Sequence, residues 1–219
     1  MVLTTLFAWS ASAQETLDIG VIRDDEIAVV QKLMYPKTKR TEVGVHAGVM
    51  PFDAYLTTPN AQLSVDLHQS DKIAISIVGG GGYGVKSGTY RELESITYGV
   101  APYAFRYLGS ALGGVQWAPI YAKLSWDGAH VIHFDVYGAA RGGVSIESSV
   151  IPGGGLAFAP TISPGLGTRF YLGPKTALRV ELRDDVLFEW REVTSSLELK
   201  QNANITAGFS FFSASKERR

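Results

Sequence analysis

Residues 177–188 read ALRVELRDDVLF. Leu178, Val180, Leu182, Val186 and Phe188 alternate there with Arg179, Glu181, Arg183 and Asp185. A period of two marks an extended strand, because successive side chains point to opposite faces. One face of this strand is apolar and the other is charged. A soluble sheet would bury the apolar face and wet the charged one. A barrel in lipid does the reverse, with apolar side chains outside and a polar lumen.

Working outward, the same alternation runs from Thr41 to Phe212 and predicts eight strands. The first spans Glu42 to Met50 and the second Ala61 to Gln69. The third begins at Lys72 and sets Ile73, Ile75 and Ile77 on one face. The fourth runs from about Leu112 to Trp126. The fifth alternates Ile132, Phe134 and Val136 against His133, Asp135 and Tyr137. The sixth carries Leu156 to Leu172, the seventh is the opening stretch, and the eighth spans Asn204 to Phe212. Ser70-Asp71, Asp127-Gly128 and Gly173-Pro174-Lys175 read as tight turns. The other connections read as longer polar loops, at about 86–110, 144–155 and 191–202, with a modest one from Pro51 to Asn60. Short turns at one end and long loops at the other are the habit of outer-membrane barrels. The expected fold is therefore all-β: an eight-stranded antiparallel up-and-down transmembrane β-barrel with both termini in the periplasm.

The charged faces assign Glu42, Asp66, Lys123, Asp135, Arg141, Arg169, Arg179, Glu181 and Arg183 to the lumen, with His46 and His68. An eight-stranded barrel is just wide enough for side chains to fill. Buried charges need partners. These residues are expected to form a salt-bridged plug centred on Arg179, Glu181 and Arg183. Unbroken alternation also places Trp117, Tyr121 and Tyr171 in the lumen. Trp126, Phe170, Phe188 and Trp190 fall on the apolar face near strand ends, where interfacial aromatic girdles lie.

The formal net charge of −1 offers no basic surface for nucleic acid. The absence of cysteine excludes disulfides and thiolate metal sites. Val2 to Trp9 is apolar and Ala11-Ser12-Ala13 suits cleavage after Ala13, although no Lys or Arg precedes the apolar run. The expected organisation is a signal peptide over 1–13, a periplasmic lead-in over 14–40, the barrel over 41–212 and a tail over 213–219. No other segment reaches the ~20 apolar residues of a membrane helix.

Chemical motifs are few. Gly79, Gly81 and Gly84 match G-x-G-x-x-G, but Val85 to Glu94 offers no apolar helical face to follow them. His46, His68 and His133 share the lumenal side on different strands, so an interior hydrogen-bonding role outweighs a metal site. Asp66–His68 and His133–Asp135 are same-face pairs with no serine clearly beside them, and the His-x-Ser-Asn signature of lipid A deacylases is absent. No catalytic residue, cofactor or metal is expected.

Two stretches carry a resemblance. One is GVQWAPIYAKLSW, Gly114 to Trp126, continued by HFDVY, His133 to Tyr137. The other is GLGTRFYL, Gly165 to Leu172, followed by ALRVELRD, Ala177 to Asp184. With Val30-Gln31-Lys32, they resemble the outer-membrane β-barrel domain family of myxobacteria and related bacteria, and the second is similar to the wider OmpA-like group. The likeness covers about residues 26–212. Ala122 stands where that family's Pro-Ile-Tyr-Gly-Lys pattern has glycine. The resemblance implies an outer-membrane location and no shared enzymatic residues. The expected role is structural or partner-binding in the cell envelope. A small pore and a lipid-active enzyme are the alternatives. The expected partners are outer-membrane lipid, the outer-membrane assembly machinery and other envelope proteins.

Overall fold

The computed structural model describes residues 33–53, 55–95, 98, 99, 102, 104–125, 131–150, 155–191 and 196–214. The expected signal peptide and most of the lead-in lie outside them. Tyr35–Arg219 form one compact unit. Its elements are β1 (Thr41–Met50), β2 (Leu56–His68), β3 (Ile73–Gly82), β4 (Val85–Lys86), α1 (Gly88–Glu94), β5 (Phe105–Ser125), β6 (Val131–Ser149), β7 (Leu156–Tyr171), β8 (Thr176–Arg191) and β9 (Ser196–Phe212).

Eight of the strands close into a ring. β1, β2, β3, β5, β6, β7, β8 and β9 each pair antiparallel with the next, and β9 returns to β1, with Val43 opposite Phe211. β4 is a two-residue addition against Leu56 and Thr57. Closure leaves no free sheet edge, which is what a sheet in lipid requires. The two faces separate as the alternation predicts: Leu63 is 60% exposed and Leu166 67%, while Asp66 is 0%. The exterior is apolar and the interior is polar, an inside-out arrangement suited to lipid.

The turn end carries the short connections. The N–H groups of Gln69 and Ser70 donate to Ile73 O at 3.0 and 3.2 Å, and those of Leu172 and Gly173 donate to Thr176 O at 3.0 and 3.2 Å. Asp127-Gly128 lies outside the described residues, but Ser125 and Val131 still pair on either side.

All four expected loops are shorter than the sequence suggests, the first because β2 already begins at Leu56. β6 continues to Ser149, β8 to Arg191, and β9 begins at Ser196. Ladder pairs such as Glu147↔Ala157 and Leu187↔Lys200 carry the strands through polar sequence. Stretches with alternating charges read as loop, yet the lumen accepts those charges. The 86–110 stretch is also ordered in part. Ser87 caps α1 by accepting from Tyr90 N at 3.2 Å, and buried Tyr90 packs with Leu56 and Ala104 to form a small apolar cap. β5 then starts at Phe105.

The fourth predicted strand needs the main correction. The β5–β6 register shifts between Trp117 and Ile120, where two residues of β5 face one of β6. Pro119 has no N–H for the ladder, and such sites take bulges. Even-numbered residues of β5 point inward from Ser110 to Ala118, and odd-numbered ones from Tyr121. Trp117, expected in the lumen, is 59% exposed on the outer face. Within the predicted strand the alternation failed at Pro119, and a second register shift lies before it, between Tyr107 and Gly109.

Candidate functional site

The lumen is the one place where these strands concentrate chemistry. Inward positions of β1, β2, β5, β6, β7 and β8 supply Glu42, Asp66, Gln116, Asp135, Tyr137, Arg141, Arg169, Arg179 and Glu181, each at most 5% exposed. Tyr137 is the hub. It faces Gly167 across the β6–β7 ladder, and any side chain at 167 would overlap its ring. The glycine lets the ring lie flat. The guanidinium carbons of Arg169 and Arg179 then sit 4.3 and 4.8 Å from its centroid, close enough for cation–π attraction.

Hydrogen bonds join these groups into one network. Arg141 donates both terminal nitrogens to Glu181, at 2.6 and 3.1 Å. Arg179 donates to Glu181 at 2.9 Å, to Tyr137 Oη at 2.6 Å and to Asp66. Tyr137 Oη in turn donates to Glu181 at 2.7 Å. Arg169 reaches Glu42 at 3.2 Å and both oxygens of Asp135 at 3.5 Å, and also donates to Gln116. Tyr171 Oη donates to Asp135 at 2.7 Å, and His68 holds Glu42 at 2.8 Å.

A cation unseen in the strand pattern completes the set. Lys37, in the lead-in, tucks its ammonium against Asp135 and is 3% exposed. Burial pushes its pKa below the ordinary lysine value, while Asp135 pulls it back up. Asp71 accepts the backbone N–H groups of Lys37 and Thr38, and Tyr35 stacks on Tyr171 at 5.2 Å. Arg40 grips Ser213 O and Pro174 O, each at 2.8 Å. Residues 35–40 thus strap the turn end. Lys37, Arg141, Arg169 and Arg179 balance Glu42, Asp66, Asp135 and Glu181, so each charge of this network meets an opposite one, as burial demands.

Of the residues expected in the plug, Arg183 and Lys123 stand apart. Arg183 pairs with Asp185 at 3.1 Å, nearer the loop end than the Tyr137 hub. Lys123 is exposed near the end of β5, beside His133 in the ladder, and joins none of the lumenal ion pairs of the described residues. A second cluster escaped the reading. Lys200 donates to Glu147 at 2.9 Å and to Phe105 O at 3.0 Å, with Glu189 at 3.6 Å and Asp53 at 3.7 Å. The alternation of β9, extended back past Asn204, would have found Lys200. A vestibule of about 390 Å³ opens there, lined by Asp53, Tyr55, Phe105, Glu189 and Lys200.

The histidines take separate partners: Ser64 for His46 at 2.9 Å, Glu42 for His68 and Tyr121 for His133 at 3.0 Å. Among the described residues no cluster of three acidic or imidazole groups is arranged to hold a metal. A void between His46, Gln62, Ser64 and Arg179 measures about 10 Å³, no more than about one water.

No family model matches the chain, and no curated protein matches it. Three solved structures share its outline. Neisserial surface protein A aligns at TM-score 0.48 and 12% identity, covering 78% of this chain and 94% of that one. OprG from Pseudomonas aeruginosa, an outer membrane protein, aligns at TM-score 0.45 and 11% identity, over 84% and 100% of the two chains. Ail, the attachment invasion locus protein of Yersinia pestis, aligns at TM-score 0.43 and 12% identity, over 80% and 99%.

Proposed function

We propose that this chain is a non-conducting, non-enzymatic outer-membrane barrel that serves the bacterial envelope as a structural or partner-binding element. The turn end and both termini face the periplasm, and the loop end faces out. One observation carries the reading: a neutral network fills the lumen around Tyr137 and leaves a void of about 10 Å³ beside it. An ion would have to break several buried pairs to pass. The loop end, with its apolar cap and its vestibule, is where a partner would dock. Membership of the myxobacterial barrel family belongs to the same proposal, on the strength of the two motifs quoted above.

Planar-bilayer recordings of the refolded full chain test it. No conductance steps are expected. Discrete steps under ordinary salt would return the small pore to first place. Removal of α1 with the barrel still heat-modifiable on a gel is expected to abolish a partner pull-down, and undiminished capture would move docking elsewhere.

A further inference from the structure

The charges at the loop end of the lumen are not matched one to one as those of the plug are. The Lys200 ammonium lies 2.9 Å from Glu147, 3.6 Å from Glu189 and 3.7 Å from Asp53, so three carboxyl groups gather around one ammonium. Glu147 carries the mismatch. It points inward from β6 and is 0% exposed. Its Oε1 accepts from Lys200. Its Oε2 is shut off from solvent too, and accepts no hydrogen bond among the described residues. A buried carboxylate oxygen left without a donor is costly. It marks a place where a further donor would be stabilising.

Space for that donor lies beside the cluster. The vestibule of about 390 Å³ is lined by Phe52, Asp53, Tyr55, Phe105, Glu189 and Lys200, and small-ligand sites run from about 300 to 1,000 Å³. Its walls are of two kinds, carboxyl groups and aromatic rings. Tyr55 is held edge-on by Tyr90 of α1, with ring centroids 6.5 Å apart. Phe52 is 73% exposed. Carboxylates attract a cation, and aromatic faces attract both a cation and its apolar stem. An anion would meet three carboxyl groups. A metal ion fits less well, because no three acidic or imidazole groups among the described residues are arranged to hold one. Lys200 shows the chemistry already at work, since its ammonium is met by Glu147 and by Phe105 O at 3.0 Å. We propose that the vestibule binds a second ammonium on a short aliphatic stem, with Glu147 and Glu189 facing the charge and Phe52, Tyr55 and Phe105 flanking the stem. A free alkylamine and a lysine side chain of a docked partner offer this same group.

This rests on the sealed-lumen reading, which makes the vestibule blind-ended, and the experiment separates the two. Amide NMR spectra of the refolded full chain in micelles are followed as butylammonium chloride is added at constant ionic strength. Saturable shifts are expected at Asp53, Phe105, Glu147 and Lys200. Butanol, with the same stem and no charge, should leave them nearly unmoved. Nα-acetyl-lysine amide presents the ammonium as a partner would. Shifts at the same amides with both amines support the site, and the tighter of the two names the source. Glu147→Gln keeps an acceptor for Lys200 and removes the charge, so it should weaken butylammonium binding about tenfold, the worth of one charged hydrogen bond. Phe52→Ala, at an exposed ring, should weaken it about threefold. The proposal is overturned by the absence of saturable shifts, by equal shifts with butanol, by calcium moving the same amides as strongly, or by Glu147→Gln binding unchanged. Shifts that instead run on to Tyr137 and Asp135 would show the cation entering the plug and overturn the sealed-lumen reading. A heat-modifiability gel certifies that each variant is folded.

Discussion

Replacing Glu181 with leucine strikes the network at one of its two most connected carboxylates, the other being Asp135. Glu181 accepts two bonds from Arg141, one from Arg179 and one from Tyr137. Without it, Arg179 keeps Asp66. Arg141 keeps only Ser76 Oγ, at 3.1 Å. A guanidinium 2% exposed is then left without an anion. Breaking a buried pair from one side costs about 3–5 kcal/mol, a large share of a typical folding stability of roughly 5–15 kcal/mol. The assay is reversible guanidinium unfolding in phospholipid micelles, read by tryptophan fluorescence and by gel mobility. Glu181→Leu should lower the unfolding free energy by about 3–5 kcal/mol. Adding Arg141→Met should restore most of it, because exchanging a whole buried pair for apolar groups is often neutral. A single variant within about 1 kcal/mol of wild type, or a double variant worse than the single, would refute the view that Arg141 depends on Glu181.

Gly167→Val should drive the Tyr137 ring off β7 and away from Arg169 and Arg179; overpacking of this kind costs about 1–3 kcal/mol in the same unfolding assay, and an unchanged midpoint would mean the ring has other room. Trp117→Phe should remove a large part of the fluorescence quenching caused by brominated lipid, since Trp117 faces outward; undiminished quenching would restore the lumenal position. Lys37→Met should cost less than Glu181→Leu, about 1.5–3 kcal/mol, because Asp135 keeps Arg169 and Tyr171, and it should speed hydrogen exchange over residues 35–40. Unchanged protection there would show that the strap is held by Tyr35 and Arg40 alone.

Period-two alternation determined a good deal without coordinates. It gave eight ring strands, the turn end, and the polarity of each strand's two faces, because in a closed sheet the inside–outside choice is local to each residue. It could not report where alternation breaks. Pro119 signalled a bulge only if one already knew that β6 lay opposite with a residue to spare, and Trp117 was misplaced for that reason. Alternation also could not say which inward charges meet. Glu42 and Arg169 are 127 positions apart and touch only because the ring closes at a particular register. Lys37 joins them from outside every strand, so nothing periodic announced it. The sequence by itself determined the class of barrel and the polarity of its two faces. Only the tertiary structure decided that the lumen is a balanced, filled network, and that Asp53, Glu147 and Glu189 gather around Lys200 at its loop end. Pairing across a barrel is a property of register and closure, and neither is written in any single strand.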